Sequence, residues 1–436
     1  MDHQTSFNIP QEVVDYVVDF LHDDKLSLFH CALLSSAWLE SSRYHLFRII
    51  RIRIHSSHNI EQLLTSFTLF FNRNPLISRL VHKLLIARGE WKFDLIDEAS
   101  VLADLTYPKI ELYLIAALLR SLPRISAFSM DGIGLLWNSH ISETMDSRRP
   151  SFQLQELNLR RIFLPIPPQI DPDWPFSHFL SWFSSLKLLS LRGGMPSGSH
   201  IDGGTVASSV SSDALHKVRA TRVEVLMTDH NLLRLLYATI VPSNLTSCLL
   251  TVNEVADAID VQSVLNGTAA QISTLELSFV EFVPIGLILR NGFEDCVTIN
   301  LDLCRSLETL HLGLTLFEDH DLWNAFVWAS IFTTVSTLRS STLRLVINIF
   351  LHRDISKPLA VLQRLDWLRL ATALRGVNAT SATICLSDRS GESAWHASLD
   401  ESAAFIEQML PERRENGVLC VQHATIPSAP VERWYL

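Results

Sequence analysis

Asn8-Ile-Pro-Gln-Glu-Val-Val-Asp-Tyr-Val-Val-Asp-Phe-Leu-His-Asp-Asp-Lys-Leu-Ser-Leu-Phe-His-Cys-Ala-Leu-Leu-Ser-Ser-Ala-Trp38 is the stretch from which the rest of the 436-residue chain is read. Pro10 suits the first position of a helix, where a missing N–H costs nothing, and Glu12 sits by the positive end of the dipole. Val13, Val14, Val17, Val18 and Leu21 recur at helical spacing with Asp15, Tyr16 and Asp19 between them, which predicts a short amphipathic helix. His22-Asp-Asp-Lys25 reads as a polar turn. Leu26, Leu28, Phe29, Ala32 and Leu33 begin a second helix, and Ser35 or Ser36 caps a third that carries Trp38 toward Tyr44 and Phe47. Three short helices in about 40 residues enclose too small a core to stand alone comfortably. Their apolar positions also run around more than one face, so something else must cover them.

The pattern Ile9-Pro10-x-Glu12-Val13, Val17-Val18-x-Phe20-Leu21, Leu26, Leu28 and Ala32-Leu33-Leu34-Ser35-x-x-Trp38 resembles an F-box. The resemblance implies docking on a small Skp-type adaptor, which bridges to a cullin-based ubiquitin ligase. Carried over by position, Ile9, Pro10, Glu12 and Val13 form the leading adaptor contact, with Val17 on the same helix, Leu26 and Leu28 in the middle and Trp38 at the far end. Ile9 stands where Leu is commoner, Leu34 where Val is, and Ser36 where Lys is frequent; the last removes a charge from the adaptor side. An interface of standard size, about 1,600 Å² in total, would bury the outer apolar face, with its energy in a few anchors. The alternative is an unrelated three-helix cap packed on the downstream domain.

Next along the chain, Arg48-Ile-Ile-Arg-Ile-Arg-Ile-His55 alternates Ile50, Ile52 and Ile54 with Arg51, Arg53 and His55, the period of a half-buried strand whose Arg side is solvated. From there a unit recurs: a helical stretch, a short break, then a strand of the form apolar-x-x-apolar-x-apolar. The strands read Val81-His-Lys-Leu-Leu-Ile86, Ile125-Ser-Ala-Phe-Ser-Met130, Leu154-Gln-Glu-Leu-Asn-Leu159, Leu186-Lys-Leu-Leu-Ser-Leu191, Ile272-Ser-Thr-Leu-Glu-Leu277, Leu307-Glu-Thr-Leu-His-Leu312 and Thr342-Leu-Arg-Leu-Val-Ile347. Weaker members lie at 223–227, 245–250, 380–386 and 418–421. Helix candidates precede them, as 112–122 does before Ile125 and 321–338 before Thr342. Strand starts fall about 24–44 residues apart, longer and less regular than the roughly 20–29 of a leucine-rich repeat.

The array resembles the leucine-rich repeats that often follow an F-box, especially those of the divergent F-box-like proteins of mushroom-forming fungi. It departs from them at one position: eight residues beyond Leu154, Leu186, Ile272 and Leu307 stand Ile162, Gly194, Val280 and Thr315 instead of the usual Asn or Cys. The expected fold is therefore α/β: an N-terminal three-helix F-box at 6–48, an irregular leucine-rich-repeat-like solenoid of parallel strands with outer helices at 49–426, and a tail at 427–436. Such repeats stabilise by stacking. The alternative, an ordinary α/β domain with parallel strands, would bury strand runs on both faces. In the repeat reading, His82, Gln155, Asn158, Lys187, Ser190, Glu276, Glu308, His311 and Arg344 line an inner surface about 50 Å long and receive a protein substrate. They are mixed in sign, so no single ligand charge is implied. Three loops interrupt the pattern: 138–150 is polar, 165–175 holds five prolines, and 193–212 holds five Gly and six Ser, a mobile composition. Trp434 and Tyr435 read as a terminal cap.

Composition narrows the partners. Lys and Arg number 36 against 46 Asp and Glu, a net charge of −10, with 19% charged and 47% hydrophobic residues; mean hydropathy is +0.20. An acidic chain lacks the basic face that a general nucleic-acid binder needs. The six cysteines include no pair with the two-residue gap of a zinc or redox motif, which suits reduced thiols in the cytoplasm or nucleus. The first residues lack a basic segment followed by an apolar core, so no signal peptide is expected, and the sequons at Asn244, Asn266 and Asn378 carry no weight. The longest uncharged stretch, 235–253, is broken by Pro242, Ser243 and Asn244, and no membrane association is expected.

Motifs for catalysis are missing. Gly194-Met-Pro-Ser-Gly198 has its serine one place too late for a nucleophile elbow. Asp131-Gly-Ile-Gly134 lacks the third glycine of a dinucleotide loop. Glu318-Asp-His-Asp321 is read as a helix start, with Asp319 or Asp321 as the cap, and His55 and His58 have no ligand companions. No enzyme activity, cofactor or metal is expected. The resemblance implies a substrate-recognition subunit of an SCF-type ubiquitin ligase, with catalysis supplied in trans by proximity; the alternative is a non-catalytic F-box/repeat interaction protein that acts without a ligase.

Overall fold

Pro10 sits just ahead of the first helix, at its N-cap, with the extended backbone (φ −55°, ψ 143°) that starts the helix at the next residue. The computed structural model describes residues 9–55, 59–89, 108–136, 151–162, 175–193, 217–226, 233, 236–237, 239–252, 255–279, 297–340, 343–352, 355–377, 379–388, 396–411 and 419–424. The readings of the loops 138–150, 165–174 and 194–212, of Gly194–Gly198, His58, Val280, Cys296 and Asn378, of the strand ends Met227, Thr342 and Val418, and of the tail lie outside them.

Helices α1 (Gln11–Phe20), α2 (Lys25–Leu34) and α3 (Ser36–Phe47) follow the expected spacing. Asp24 closes the polar turn and caps α2, its carboxylate accepting from the amides of Leu26 and Ser27 at 3.1 Å and from Ser27 Oγ at 2.6 Å. Ser35 precedes α3 in an extended conformation and makes no side-chain capping bond. Lys25 Nζ donates to the carbonyls of His45 and Leu46, at the end of α3 where the dipole favours a cation. Val14, Val18 and Leu28 are buried together, with Leu21, Trp38 and Leu46 packed against them.

The described residues up to Lys187 form one compact unit, and those from Leu188 on a second. After α3 the first contains β1 (Ile49–Ile54), α4 (Ile60–Arg73), α5 (Pro75–Ser78), β2 (Lys83–Arg88), β3 (Lys109–Glu111), α6 (Leu112–Arg120), β4 (Ala127–Asp131), β5 (Gly134–Leu136), β6 (Phe152–Gln153), β7 (Glu156–Arg160), α7 (Pro175–Ser181) and the start of β8 (Phe183–Arg192). Strands β1, β2, β4 and β7 pair in chain order and in parallel. The second unit takes the end of β8 and adds β9 (Arg219–Leu226), β10 (Ser247–Val252), α8 (Val255–Thr268), β11 (Thr274–Phe279), β12 (Thr309–Leu316), α9 (Asp321–Ser336), β13 (Leu343–Leu351), α10 (Pro358–Gln363), α11 (Trp367–Arg375), β14 (Ala379–Asp388), α12 (His396–Met409) and β15 (Leu419–Ala424). From β9 to β15 every strand pairs in parallel with its neighbour in sequence. Among the described strands the runs β1-β2-β4-β7 and β9 to β15 show no reversal of order, the feature that makes the ligand-binding switch point of doubly wound sheets.

Most strands begin two residues later than their apolar motif: Lys83 after Val81, Ala127 after Ile125, Thr274 after Ile272, Thr309 after Leu307. The leading apolar residue is buried in the preceding turn, as Leu307 is, its amide bonded to Cys304 O at 3.2 Å. A single carbonyl then receives two successive amides of the next strand. His82 O takes Ser126 N (2.9 Å) and Ala127 N (3.0 Å); Thr246 O takes Ser273 N (2.9 Å) and Thr274 N (3.2 Å); Ser273 O takes Glu308 N (2.8 Å) and Thr309 N (3.0 Å). Hydroxyls reinforce these carbonyls, Ser126 on His82 O at 3.1 Å, Thr246 on Thr221 O and Ser273 on Thr246 O at 3.3 Å. This hydroxyl ladder links neighbouring strands without the missing Asn or Cys. Ser330 and Thr334 of α9 and Thr337 at its C-cap accept the amides of Val297, Ile299 and Leu301 at 3.1, 3.2 and 2.9 Å, one side of the helix satisfying alternate residues of an extended segment.

Across β11, β12 and β13 one sheet face is apolar: Leu275, Leu277, Leu310, Leu312, Leu314, Leu345, Ile347 and Ile349 are all buried. The other is half-open at the strand starts and closed toward the strand ends, where Ser278, Thr315 and Phe350 are buried. Gly313 lies among them; a Cβ there would come within 3.2 Å of Ser278 Oγ and 3.5 Å of the Phe350 ring. The strands are thus buried on both faces in their second halves, which the sequence reading assigned to its alternative, while their sequential order is what a repeat stack requires.

Candidate docking faces

α1 lies on α3 through a polar ladder of constant offset. Gln11 Nε2 donates to Ala37 O at 3.1 Å, Ser41 Oγ donates to Asp15, and His45 Nε2 meets Asp19 Oδ1 at 2.7 Å. Four-residue steps on both helices keep the pairs in line, so α1 and α3 run parallel with one rotation fixed. The Ser41 and Gln11 hydrogen bonds hold Asp15 below the usual carboxylate range. With that side and the Val14–Val18 side engaged, the third side of α1 is left bare. Ile9, Val13, Tyr16, Val17 and Phe20 line it, Tyr16 at 75% and Phe20 at 81% exposure; on α2, Leu26, Phe29, Leu33 and Leu34 are exposed as well. Nine of the eighteen large hydrophobic residues exposed among the described residues therefore fall between Ile9 and Leu34. Scattered apolar residues are normal at a surface; their concentration on α1 and α2 sets these helices apart from the rest of the described surface.

The sequence-assigned contacts divide on this geometry. Ile9, Pro10, Glu12, Val13, Val17 and Leu26 are exposed. Leu28 is fully buried beside Val14 and Val18, and Trp38 is half-buried against the same cluster, so both belong to the core of the trio. Tyr16, Phe20, Phe29 and Leu33 were missed; their helical spacing to Val13 and Leu26 was the available signal.

Of the sheet positions, His82, Gln155 and Glu308 occupy strand starts within the carbonyl ladders, and Lys187 N bonds Gln155 O at 2.9 Å. Asn158 reaches Ser129 Oγ at 3.4 Å, and the His82 ring lies against Tyr44. In the second unit Glu276 is in register with His311, and Thr309 with Arg344. Burial, helped by the Arg344 charge, pushes His311 below its ordinary range, so it is neutral at pH 7. Ser190 is not solvent-facing as expected. It is buried, donating to Glu224 at 3.2 Å, and Glu224 also binds Arg192 (3.1 Å) and Arg222 (2.8 Å), a cluster the alternation rule hid.

The remaining motifs have structural duties. Gly132, with φ 67°, turns the chain after β4, and the Asp131 carboxylate takes Arg161 at 2.8 and 2.7 Å. At the start of α9 neither Asp319 nor Asp321 caps: His320 is the N-cap, Asp321 pairs with Arg364 at 2.8 Å, and Glu318 accepts from the amide and hydroxyl of Ser356. Burial pushes the Cys248 and Cys304 thiols up to about 12 and about 11, away from nucleophilic use. Among the described residues no helix is long and apolar enough to cross a membrane. These features define an α/β protein of sequentially paired parallel strands with a small N-terminal helical trio that shows an uncovered apolar face. No protein-family model matches the chain, and no curated protein matches it.

Proposed function

We propose that the chain is the substrate-recognition subunit of a cullin-based, SCF-type ubiquitin ligase. In this reading α1 to α3 act as an F-box that holds a Skp-type adaptor, and the half-open strand starts present a target protein to a ubiquitin-charged enzyme supplied in trans. The observation that carries it is the apolar face from Ile9 to Leu34, left bare by a core of three fully buried residues. Full burial of a Leu- or Phe-sized side chain contributes about 1.5–3 kcal/mol, so a few anchors there suffice for a specific complex. The protein needs no cofactor for this role and works in the cytoplasm or nucleus. Co-purification from cells tests it: the wild-type chain retains adaptor and cullin, and Val13→Asp/Leu26→Asp, changed only at exposed positions, loses both. A wild-type chain that retains no adaptor refutes the proposal; one that retains adaptor without cullin leaves an interaction protein outside the ligase.

A further inference from the structure

Strand β1 stands first in the sheet order, and among the described residues β2 alone pairs with it. Main-chain groups alternate in direction along a strand. Arg48 O accepts the amides of His82 and Lys83 at 2.9 Å, and Ile54 O accepts that of Gly89 at 2.7 Å, so the even-numbered residues face β2. Ile49, Arg51 and Arg53 therefore turn their N–H and C=O groups to the outer edge, and all three are exposed. An edge of this kind is a template for one more strand. The side chains add a second requirement. Arg51 and Arg53 stand on one sheet face, and Ile50, Ile52 and Ile54 on the other, with Ile50 half-buried. Neither arginine forms an ion pair among the described residues. On their face the carboxylates of Asp131 and Glu156 are engaged elsewhere, by Arg161 at 2.7 Å and Lys83 at 3.9 Å. Burial, and after it the Arg51 charge, holds the Lys25 ammonium below its usual range, as a cation without a counter-ion does to its neighbour. In a chain of net charge −10 this edge is locally basic.

We infer that the outer edge of β1 is a docking site for an extended protein segment in which acidic and apolar residues alternate, added to the sheet as one more strand. The main chain of Ile49, Arg51 and Arg53 bonds the segment, its carboxylates meet the two guanidinium groups, and its apolar side chains lie beside Ile50. A second copy of the chain is the wrong occupant: β1 against β1 sets arginine against arginine, and like charges directly opposite destabilise a strand pair. A nucleic acid matches the charge but lacks the alternating amides and carbonyls that the edge pairs with. The inference does not depend on the adaptor reading, whose exposed contacts lie on α1 and α2 and at their N-terminal approach.

The test is binding of the full chain to labelled peptides of about eight residues, read by fluorescence anisotropy. The probes are an alternating Val-Glu peptide, an alternating Val-Lys peptide, and two N-methylated forms of the first, one blocked at every valine amide and one at every glutamate amide. Val-Glu should bind and Val-Lys should not. One N-methylated form should lose about tenfold or more and the other keep its affinity, because only one row of amides faces β1. Arg51→Glu/Arg53→Glu, changed only at exposed positions, should weaken Val-Glu about tenfold or more and bind Val-Lys instead. Absence of Val-Glu binding at about 1 mM overturns the inference, as does equal binding of Val-Glu and Val-Lys. Binding that both N-methylated forms retain overturns strand addition. A single-stranded oligonucleotide that outcompetes Val-Glu, or a dimer of the free chain in which the β1 amides are already protected from exchange, would identify another occupant and overturn it too.

Discussion

Leu26 and Leu28 stand two residues apart on α2 with opposite duties: Leu26 is 68% exposed and Leu28 is 0% exposed. Truncating Leu28 to Ala removes one of the three buried side chains at the centre of the trio and leaves a cavity, at a cost of about 2–5 kcal/mol. A segment of about 40 residues has a stability on the order of 2–6 kcal/mol at the usual per-residue value. Leu28→Ala therefore consumes most of it, and α1, α2 and α3 open together. Leu26→Ala at the surface stays within about 0.5 kcal/mol. Amide hydrogen exchange of the full chain, read peptide by peptide over residues 9–47, separates the two. Leu28→Ala should speed exchange of all three helices by about 30-fold or more, and Leu26→Ala by no more than about twofold, at about tenfold per 1.4 kcal/mol. Equal acceleration by both substitutions would refute the division of α2 into a core side and a docking side.

Three further outcomes follow from other sites. Asn324 is buried and bonds both the amide (3.1 Å) and the carbonyl (2.6 Å) of Phe317, so Asn324→Ala should lower stability by about 1–3 kcal/mol in urea unfolding. Asp131→Ala removes the two carboxylate acceptors that Asp131 offers the Arg161 guanidinium, whose residue holds φ 49°, and should cost about 1–3 kcal/mol by the same measurement. Because His311 is held below its ordinary range in the fold, the unfolded chain binds protons more readily, and its contribution to stability is kept above about pH 6.5 and lost as the pH falls below that. His311→Gln should reduce the drop in urea midpoint between pH 7.5 and 5.5; an unchanged drop would remove His311 as a source.

Much of the fold was legible because its signals are periodic. Val14, Val18 and Leu21 gave α1, and the apolar-x-x-apolar-x-apolar motif located the starts of β2, β4, β7, β11, β12 and β13 to within two residues, with β8 beginning three residues ahead of its motif. The two-residue lag was hidden because burial and pairing start at different places: Leu307 is buried in the turn, and the ladder opens only at Thr309. The hydroxyl ladder of Ser126, Thr246 and Ser273 was not legible either, since one hydroxyl among many polar residues has no distinguishing spacing. On α2, where Leu26, Leu28, Phe29, Ala32, Leu33 and Leu34 are all apolar, sequence has no polar side from which to tell core from surface. Leu28 accordingly reads as a contact, although it is core. Ser190 reads as solvent-facing for a related reason: two-residue alternation assumes one wet face, and near the end of its strand both faces are covered.

In the proposed role, an adaptor binds the uncovered side of α1 and α2. Hydrogen exchange of the full chain with and without a recombinant Skp-type adaptor tests it most directly, because the amides report where a partner lies as well as whether it binds. Adaptor binding should slow exchange in Gln11–Phe20 and Lys25–Leu34, an effect abolished in Val13→Asp/Leu26→Asp, with the strands of the second unit unchanged. Adaptor binding that leaves both helices unprotected, or protection that persists in the double variant, would contradict it.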